Sequence, residues 1–423
     1  MDKPVRSSIL KRIWLIMLSV GPGIFCIGYT IGTGSVTSMA KAGSEFGMQL
    51  LWVLFLSVLF SWVLMEAYGR YAVITGETAL NSIRRKIKYG NILAILIIIG
   101  VVTAQWTCLS GILGLTANMV FEMIHMFFPG ITPENYWAVL GIAIFLIVML
   151  YGMLLVGRYS FFEKILVIFV TIMGISFIIS MFIVLPPPSE IVKGFVPSIP
   201  AVHGGKLMVA AFVGTTMAAP TFVVRPLLMK GKGWGRENAR EQTRDALISA
   251  ILMFVISGSI MATATGALFH EGKTIYKVLD MVYTLEPLVG KYAVAVFVFG
   301  AMSAGLSSVF PILMVAPLLV ADYQKGELDT RSRQFKILTA IAGAIGLTVP
   351  ILGANPVMAQ VATQVSAVFV LPFVITAIII LINNKTEMGP QKAGPLLNIG
   401  LVSALLFSCF IAYTGVVALR QFL

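Results

Sequence analysis

The chain has 423 residues, of which 58% are hydrophobic and only 11% are charged, with a formal net charge of +12 and a mean hydropathy of +0.95. Soluble domains carry roughly 25% charged residues, so this composition excludes a soluble enzyme, a nucleic-acid-binding protein and a secreted disulfide scaffold. The excess of 30 Lys and Arg over 18 Asp and Glu is typical of the cytoplasmic loops of a membrane protein.

Eleven apolar blocks follow one another along the chain, and each can cross about 30 Å of hydrocarbon as a helix. Their approximate limits are 12–40, 48–75, 91–121, 136–156, 163–185, 207–229, 245–268, 289–321, 335–352, 356–383 and 395–420. Within each block the apolar residues are continuous rather than alternating, which indicates helices and not the strands of a barrel. The sequence therefore predicts an all-α integral membrane protein.

The connecting segments divide their basic residues unequally between the two sides of the membrane. If the N-terminus is cytoplasmic, 21 Lys and Arg fall in inner segments and 7 in outer segments. Positive residues favour the cytoplasmic side, and the number of blocks is odd, so we expect a cytoplasmic N-terminus and an external C-terminus. We expect a bacterial inner-membrane protein that contacts membrane lipid and has no nucleic-acid partner.

Two blocks are interrupted at mid-depth by glycine, proline and hydroxyl residues. Block 1 contains Gly32-Thr33-Gly34-Ser35, and block 6 contains the run from Gly214 to Thr221. Breaks in corresponding blocks of two halves are typical of the central site of a transporter. Blocks 1 and 6 are five apart, so the second half would be inverted relative to the first. We predict one repeat at residues 1–190, a second at 191–386, and an additional helix at 387–423.

Several motifs occur in an order and spacing that resemble one protein family. They are Gly21-Pro22-Gly23, Ala42-Gly43-Ser44-Glu45-Phe46-Gly47, Arg70 with Thr75-Gly76, the segment from Gly157 to Lys164, and Gln364 with Leu371-Pro372-Phe373. Over most of its length the chain is similar to the NRAMP family of proton-coupled divalent-metal transporters. The resemblance implies a LeuT-like five-plus-five inverted repeat of eleven transmembrane helices and secondary active transport by alternating access. We expect no enzyme activity and no cofactor.

The ligands that this family uses for its metal are replaced here. By ungapped correspondence the Asp and Asn of the first break fall on Gly32 and Ser35, and the block 6 Met falls on Ala218. The remaining family positions fall on Gln105, Cys108, Arg225, Leu306 and Val370. One carboxylate near a divalent ion contributes on the order of 8 kcal/mol at ~4 Å and an effective dielectric of ~20. We therefore assign no metal ligand.

The residues at the two altered breaks could still bind a substrate other than a metal ion. The candidate substrate-binding residues are Gly32, Thr33, Gly34, Ser35, Thr215, Thr216, Met217, Ala218 and Thr221. Glycines let a backbone approach a ligand, Thr33 or Ser35 can cap the helix that follows, and free amides at a helix start suit an anion. Met217 is expected to face away, because one residue turns a helix by about 100°.

Three functional readings stay open at this point. The first is a transporter of a divalent metal ion, as the resemblance implies. The second is a transporter of a small anion or zwitterion bound at the Gly-Thr-Gly-Ser break. The third is a receptor that does not transport but uses the same scaffold. In each case the partner is a small ion or solute, and the alternative for the break residues is that they only pack helices closely.

Charged residues inside the blocks are candidates for gating or coupling. Glu66 and Arg70 lie at i and i+4 and can pair on one helix face. Arg225 is costly in the membrane, so it serves as a counter-ion or gate partner, or extends to the cytoplasmic surface. We expect Asp245 to join Arg240 and Arg244 in an interfacial ion cluster. Cys26, Cys108 and Cys409 show no metal-binding spacing and are expected to be small core residues.

Overall fold

The computed structural model describes residues 22–128, 136–155, 159–200, 204–276, 280, 286–327 and 329–422. Helices, turns and short connections account for these residues, and no strand occurs among them. The basic N-terminal segment, block 1 as far as Gly21, and Gly157 of the family motif lie outside the described residues. The prediction of an all-α membrane protein is confirmed.

The α-helices of the described ranges are numbered in chain order. They are α1 (Gly23–Thr30), α2 (Thr33–Phe46), α3 (Leu51–Thr75), α4 (Ala79–Lys86), α5 (Gly90–Phe127), α6 (Tyr136–Leu155), α7 (Tyr159–Ile183), α8 (Pro188–Lys193), α9 (Gly205–Thr216), α10 (Ala219–Gly231), α11 (Ala239–Leu268), α12 (Glu286–Lys325), α13 (Arg333–Gly346), α14 (Thr348–Leu352), α15 (Pro356–Ala367), α16 (Leu371–Ile382), α17 (Lys385–Met388) and α18 (Pro395–Phe422). Short 3-10 turns join several of them.

Ten helical stretches of the described chain are long and apolar enough to cross a membrane. They correspond to blocks 2 to 11, and α1 with α2 corresponds to block 1. The limits differ mainly where polar residues continue a helix: α11 begins at Ala239, whereas block 7 began at 245. Hydropathy does not detect a helical turn that contains Arg240 and Glu241, because such a turn leaves the hydrocarbon. The predicted repeat boundaries fall within the short helices α8 and α17 and stay predictions.

The connections lie on two faces of the bundle, in the alternation that the blocks predict. On one face Lys86 pairs with Glu387 and Lys232 pairs with Glu163, each at 2.5 Å. On the other face the Lys41 ammonium donates to the Ile275 carbonyl at 3.3 Å. Each contact joins segments that we assigned to the same side of the membrane. Which face is cytoplasmic stays a prediction.

The broken helices lie at the centre of the bundle. Every residue of α10 from Ala219 to Met229 is buried. Helix α2 packs against α11, α10 against α3, and α15 against both α5 and α9. Large apolar side chains on the outer helices, such as Ile92 and Ile99 of α5, are exposed, as expected for surfaces that face lipid tails.

Small residues on α5 bring α15 close to the centre. A Cβ atom at Gly111 would lie 3.2 Å from the backbone nitrogen of Gln360, and one at Gly114 would lie 3.3 Å from Pro356 Cβ. Larger residues at these positions would therefore push α15 outward. The close approach places the amide side chains of α15 beside the first break.

Candidate functional site

The first break separates α1 from α2 over two residues. Ile31 follows α1 with φ −95° and ψ 59°, and Gly32 precedes α2 in an extended conformation. A Cβ at Gly32 would lie 2.5 Å from Ser308 Cβ, so α12 approaches the chain closely enough to require glycine. Gly32 is also the N-cap residue of α2, and no side chain caps this helix. The first N–H groups of α2 therefore lack intrahelical partners.

The second break has nearly the same geometry. Met217 follows α9 with φ −94° and ψ 53°, and Ala218 precedes α10 with extended backbone. Pro220 lies in the first turn of α10, where its missing N–H costs no hydrogen bond. Both breaks that the sequence predicts are therefore present, and the backbone turns in the same way at each.

A small, partly open cavity, with about 20 Å³ of space for the centre of a water-sized sphere, lies between the two breaks. Helices α1, α2, α5, α9, α12 and α15 and the second break contribute to its wall. The lining residues are Tyr29, Gly32, Gly34, Gln105, Cys108, Ile112, Gly214, Thr215, Ala218, Ile312, Gln360, Gln364 and Ala367.

Part of the predicted binding set lies on this cavity. Gly32, Gly34, Thr215 and Ala218 line it, and so do Gln105 and Cys108, which occupy the positions of the family's acidic pair. Cys108 is thus a wall residue and not only core packing.

The other predicted binding residues are not among the lining. Met217 is fully buried in the core, consistent with the turn of about 100° that separates it from Ala218. The Thr221 hydroxyl donates to the Ala218 carbonyl at 2.7 Å, and Ser35 Oγ lies 3.5 Å from Ser257 Oγ. Thr216 is also buried away from the lining, and the side chain of Thr33 is outside the described part of the structure. The expected cap of α2 by Ser35 is therefore not formed.

Sequence reasoning missed the contribution of α15. Gln360 and Gln364 lie one turn apart on one face of this helix and line the cavity, whereas Val370 and Leu306, the family positions by ungapped correspondence, do not. Two amide residues at i and i+4 in an otherwise apolar block were a usable signal, because polar groups in a membrane helix face the protein interior. Tyr29 and Gly214 were also missed.

Several polar atoms at the cavity have no hydrogen-bond partner among the described residues. The Ser38 hydroxyl donates to Gln364 Oε1 at 2.5 Å, which leaves Gln364 Nε2 unpartnered. Gln360 Nε2 donates to Cys108 Sγ at 3.1 Å. The Tyr29 hydroxyl is also unpartnered. Such groups are costly to bury, and the cost is offset when a polar ligand or water bonds to them.

The cavity wall carries no formal charge. Its described lining contains no Asp, Glu, His, Lys or Arg. Among the described residues, no group of three or more His, Cys, Asp and Glu is placed to hold a metal ion. The available metal-binding atoms are the Cys108 thiol, amide oxygens and backbone carbonyls. This set is weak for a dehydrated divalent cation.

A buried ionic network lies beside the cavity, at the start of α1. Arg225 Nη2 lies 2.6 Å from Asp245 Oδ2, with side-chain exposures of 0% and 1%. Arg225 Nη2 also donates to Gln242 Oε1 at 3.2 Å, and Gln242 Nε2 in turn donates to Glu66 Oε2 at 2.8 Å. The predicted Glu66–Arg70 pair is formed at 2.7 Å. We call these five residues the Arg225 network.

The structure excludes one of the two alternatives for Arg225, and the expectation for Asp245 is wrong. Arg225 does not extend to the surface, and Asp245 is buried rather than part of an interfacial cluster with Arg240 and Arg244. The reason is that α10 and α11 both pack against α1 and α3, and the long Arg225 side chain reaches Asp245 from there, so the pair compensates itself. Asp245 Oδ2 also accepts the Gly23 backbone N–H at 3.0 Å, which caps α1.

Comparisons with known proteins agree on one family. Residues 23–418 match the family model described as "Natural resistance-associated macrophage protein-like", or Nramp. The divalent metal cation transporter MntH of Klebsiella pneumoniae is 25% identical over 376 residues, covering 88% of this chain and 86% of the relative. MntH of Erwinia tasmaniensis is 25% identical over 400 residues, covering 92% and 90%.

Solved structures show the fold. A point mutant of the Eremococcus coleocola manganese transporter has a TM-score of 0.70 at 14% identity, covering 99% of this chain and 88% of that chain. MhsT in complex with L-phenylalanine has a TM-score of 0.65 at 12% identity, covering 94% and 98%. The architecture is therefore the LeuT-like inverted repeat with broken first and sixth helices.

Proposed function

Since the chain belongs to the Nramp family, we propose that it is a secondary active transporter that moves a small ion or solute by alternating access. It is a membrane transporter of that family and not an enzyme. The observation that supports the mechanism is the pair of matched breaks around one buried polar cavity. Broken helices allow backbone groups to meet a substrate at mid-membrane without leaving them exposed to lipid.

The Arg225 network supplies the closure on one side of the cavity. It ties the start of α1 and the middle of α10 to Asp245 of α11. Opening this side requires α1 and α10 to move away from α11, which separates a buried ion pair. Such a separation is unfavourable unless water reaches both charges, so the network stabilises the closed arrangement. From the distribution of basic residues we place this closure on the cytoplasmic side.

The first candidate substrate is a divalent metal ion. The curated relatives are named divalent metal cation transporters, and a structural neighbour is a manganese transporter. In this chain Cys108 would be the soft ligand, and the amide oxygen of Gln105 a hard one. A hydrated ion would suit this neutral wall better than a bare one, because the waters keep its charge solvated.

The second candidate is a small anion or zwitterion. The observation that favours it is the uncapped start of α2 at the cavity wall. Helix starts carry partial positive charge and free N–H groups, which suit a negatively charged group.

Filling the cavity tests whether it carries the substrate. In proteoliposomes that contain the purified chain, Gly34→Val should reduce uptake of radioactive Mn²⁺ or acetate, whichever the wild type transports, by about tenfold or more. A Cβ at Gly34 would lie 2.6 Å from Gln360 Nε2, within the cavity wall. Gly141→Val is the matched control, because a Cβ at the exposed Gly141 of α6 meets nothing within 4 Å.

Two results would contradict the proposal. Equal uptake by both variants would show that the cavity is not the route. A wild-type protein that binds a probe but shows no counterflow would be a receptor rather than a transporter.

A further inference from the structure

The carbonyl ends and the N–H ends of the broken helices are not equally available to a ligand in the cavity. The C-terminal ends of α1 and α9 present carbonyls, which attract cations, and the start of α2 presents N–H groups, which attract anions. If one kind of end is hydrogen-bonded by protein groups and the other is not, the free end indicates the charge of the ligand. This inference rests on the proposed function, in that the cavity is taken as the substrate site.

Several carbonyls at these helix ends accept hydrogen bonds from hydroxyl groups. Ser308 Oγ donates to the Gly28 carbonyl at 2.7 Å, and Thr215 Oγ1 donates to the Thr30 carbonyl at 3.3 Å. At the other break, Ser61 Oγ donates to the Thr216 carbonyl at 3.0 Å. A metal ion or an ammonium group would share these carbonyls with the hydroxyl donors and would find no carboxylate in the described lining.

The start of α2 is not covered in this way. Its N-cap is Gly32, and among the described side chains none caps the first turn. Two amide donors face this turn, since a Cβ at Gly34 would overlap Gln364 Nε2 and lie 2.6 Å from Gln360 Nε2. Gln364 is only 2% exposed, and its Nε2 has no partner among the described residues.

The orientation of the Gln364 amide is fixed by Ser38. The Ser38 hydroxyl donates to Oε1, and the NH₂ group is the end of the amide that lies next to Gly34, a residue of the cavity lining. The NH₂ groups of Gln364 and Gln360 thus both lie against Gly34, in the first turn of α2, where the backbone N–H groups have no intrahelical partner. A planar carboxylate has two acceptor oxygens that can take both sets of donors at once.

The other lining residues indicate the polarity and charge of the part of the ligand that is not the carboxylate. Ile112, Ile312 and Ala367 are apolar, and the unpartnered Tyr29 hydroxyl can bond to one polar group. No acidic residue is present in the described lining to balance a second, positive charge.

We infer that the cavity binds the carboxylate of a small monocarboxylic acid whose remainder is uncharged, with the carboxylate at the start of α2 and beside Gln364 and Gln360. The site disfavours amino-acid zwitterions, because their ammonium group would lack a counter-charge. It disfavours divalent cations because the described lining offers no carboxylate to balance their charge.

Thermal unfolding of the purified full-length chain in detergent tests this assignment. The probes are the sodium salts of formate, acetate, lactate and benzoate, with glycine and MnCl₂ for comparison, at matched ionic strength. A ligand of the folded state raises the midpoint in a saturable way. We expect at least one monocarboxylate to do so in the wild type, and neither glycine nor Mn²⁺.

Variants at Gln364 separate binding from folding. Gln364→Met removes the donor at similar size and should abolish the shift, and Gln364→Glu should abolish it and add a response to Mn²⁺. Gln391→Glu places the same charge change on an exposed residue between α17 and α18 and should keep the wild-type response. Elution as a single symmetric peak in size-exclusion chromatography shows which variants are folded.

The outcomes distinguish the site from the transport function. A shift by glycine or Mn²⁺ in the wild type, no shift by any monocarboxylate, or a shift that survives in a folded Gln364→Met protein would overturn the assignment. Counterflow of Mn²⁺ without acid binding would leave transport standing and remove the carboxylate site. Saturable acid binding without counterflow of that acid in proteoliposomes would keep the site and remove the transport function.

Discussion

Arg225 shows how a bilayer protein accommodates a cation at the centre of an apolar block. Its side chain is fully buried, and its guanidinium bonds to Asp245 at 2.6 Å and to Gln242 at 3.2 Å. Arg225 and Asp245 fall in different blocks, 20 positions apart, and nothing in the sequence pattern indicates that they pair. The pair exists because α10 and α11 pack on the same two helices, α1 and α3, which brings the Arg225 side chain within reach of Asp245.

The buried Arg225–Asp245 pair predicts how single and double substitutions change the free energy of unfolding. Asp245→Asn and Arg225→Met should each lower the free energy of unfolding by about 3–5 kcal/mol, because each leaves a buried charge uncompensated. The double variant should lose less than the sum of the two, and denaturant titration of the four proteins measures the coupling. Arg240→Met, at an exposed position of α11, is the control and should change stability little.

A strictly additive result in that cycle would mean that the two residues do not stabilise each other. The Gly23 N–H would then be the more important partner of Asp245.

Helix α4 and its neighbours form an ionic clasp outside the membrane spans. Lys86 lies 2.6 Å from Glu77 and 2.5 Å from Glu387 of α17. Partial burial acts to raise the pKa of Glu77, but hydrogen bonds from Lys86 and Ser82 outweigh it and lower that pKa below its usual value. Burial acts to lower the pKa of Lys86, and the bonds to Glu387 and Glu77 outweigh it and raise that pKa.

These shifts predict how stability depends on pH. Because the Glu77 pKa is lowered, its contribution is present above the ordinary glutamate pKa of about 4.3 and is lost as pH falls through the lowered value. Because the Lys86 pKa is raised, its contribution is present below about 10.4 and is lost as pH rises through the raised value. Replacing Lys86 with Met should flatten both limbs of a plot of Tm against pH.

Replacing Lys88 with Met provides the control for the clasp, since Lys88 forms a cation–π contact with Tyr89 rather than an ion pair among the described residues. If the Lys86 and Lys88 variants give the same pH profile, the clasp does not contribute to stability.

The two breaks are the elements that sequence reasoning located best. Gly32 and Pro220 act locally, because glycine weakens a helix interior and proline lacks an N–H, so their effect can be recognised without knowing the fold. The side chains that face the breaks could not be assigned in the same way. Gln360 and Gln364 come from a helix far along the chain, and their position depends on the close packing of α15 on Gly111 and Gly114.

The whole molecule presents its connections on two faces, and the orientation of those faces can be measured. In a variant without native cysteines, a cysteine at Lys273 should react in intact cells with a membrane-impermeant maleimide. A cysteine at Gln391 should react only after permeabilisation. Both positions are exposed, so access rather than burial decides the result. The reverse pattern would place the N-terminus outside and the closure by the Arg225 network on the external side.

The surface of the bundle corrects one smaller expectation. Cys409 of α18 is exposed rather than part of the core, while Cys26 and Cys108 are buried. In a membrane helix an apolar cysteine can face lipid or protein at similar cost, so block composition did not distinguish them.

The sequence by itself determined the number and approximate positions of the apolar blocks, the positions of both breaks and the Glu66–Arg70 pair, because each depends on residues within a few turns of one helix. Tertiary structure alone decided that Arg225 meets Asp245, that Cys108 reaches the cavity and that the two glutamines of α15 face the start of α2. The physical reason is that lipid and protein interior are equally apolar. Hydropathy therefore marks a helix as membrane-spanning without indicating which of its faces meets which neighbour.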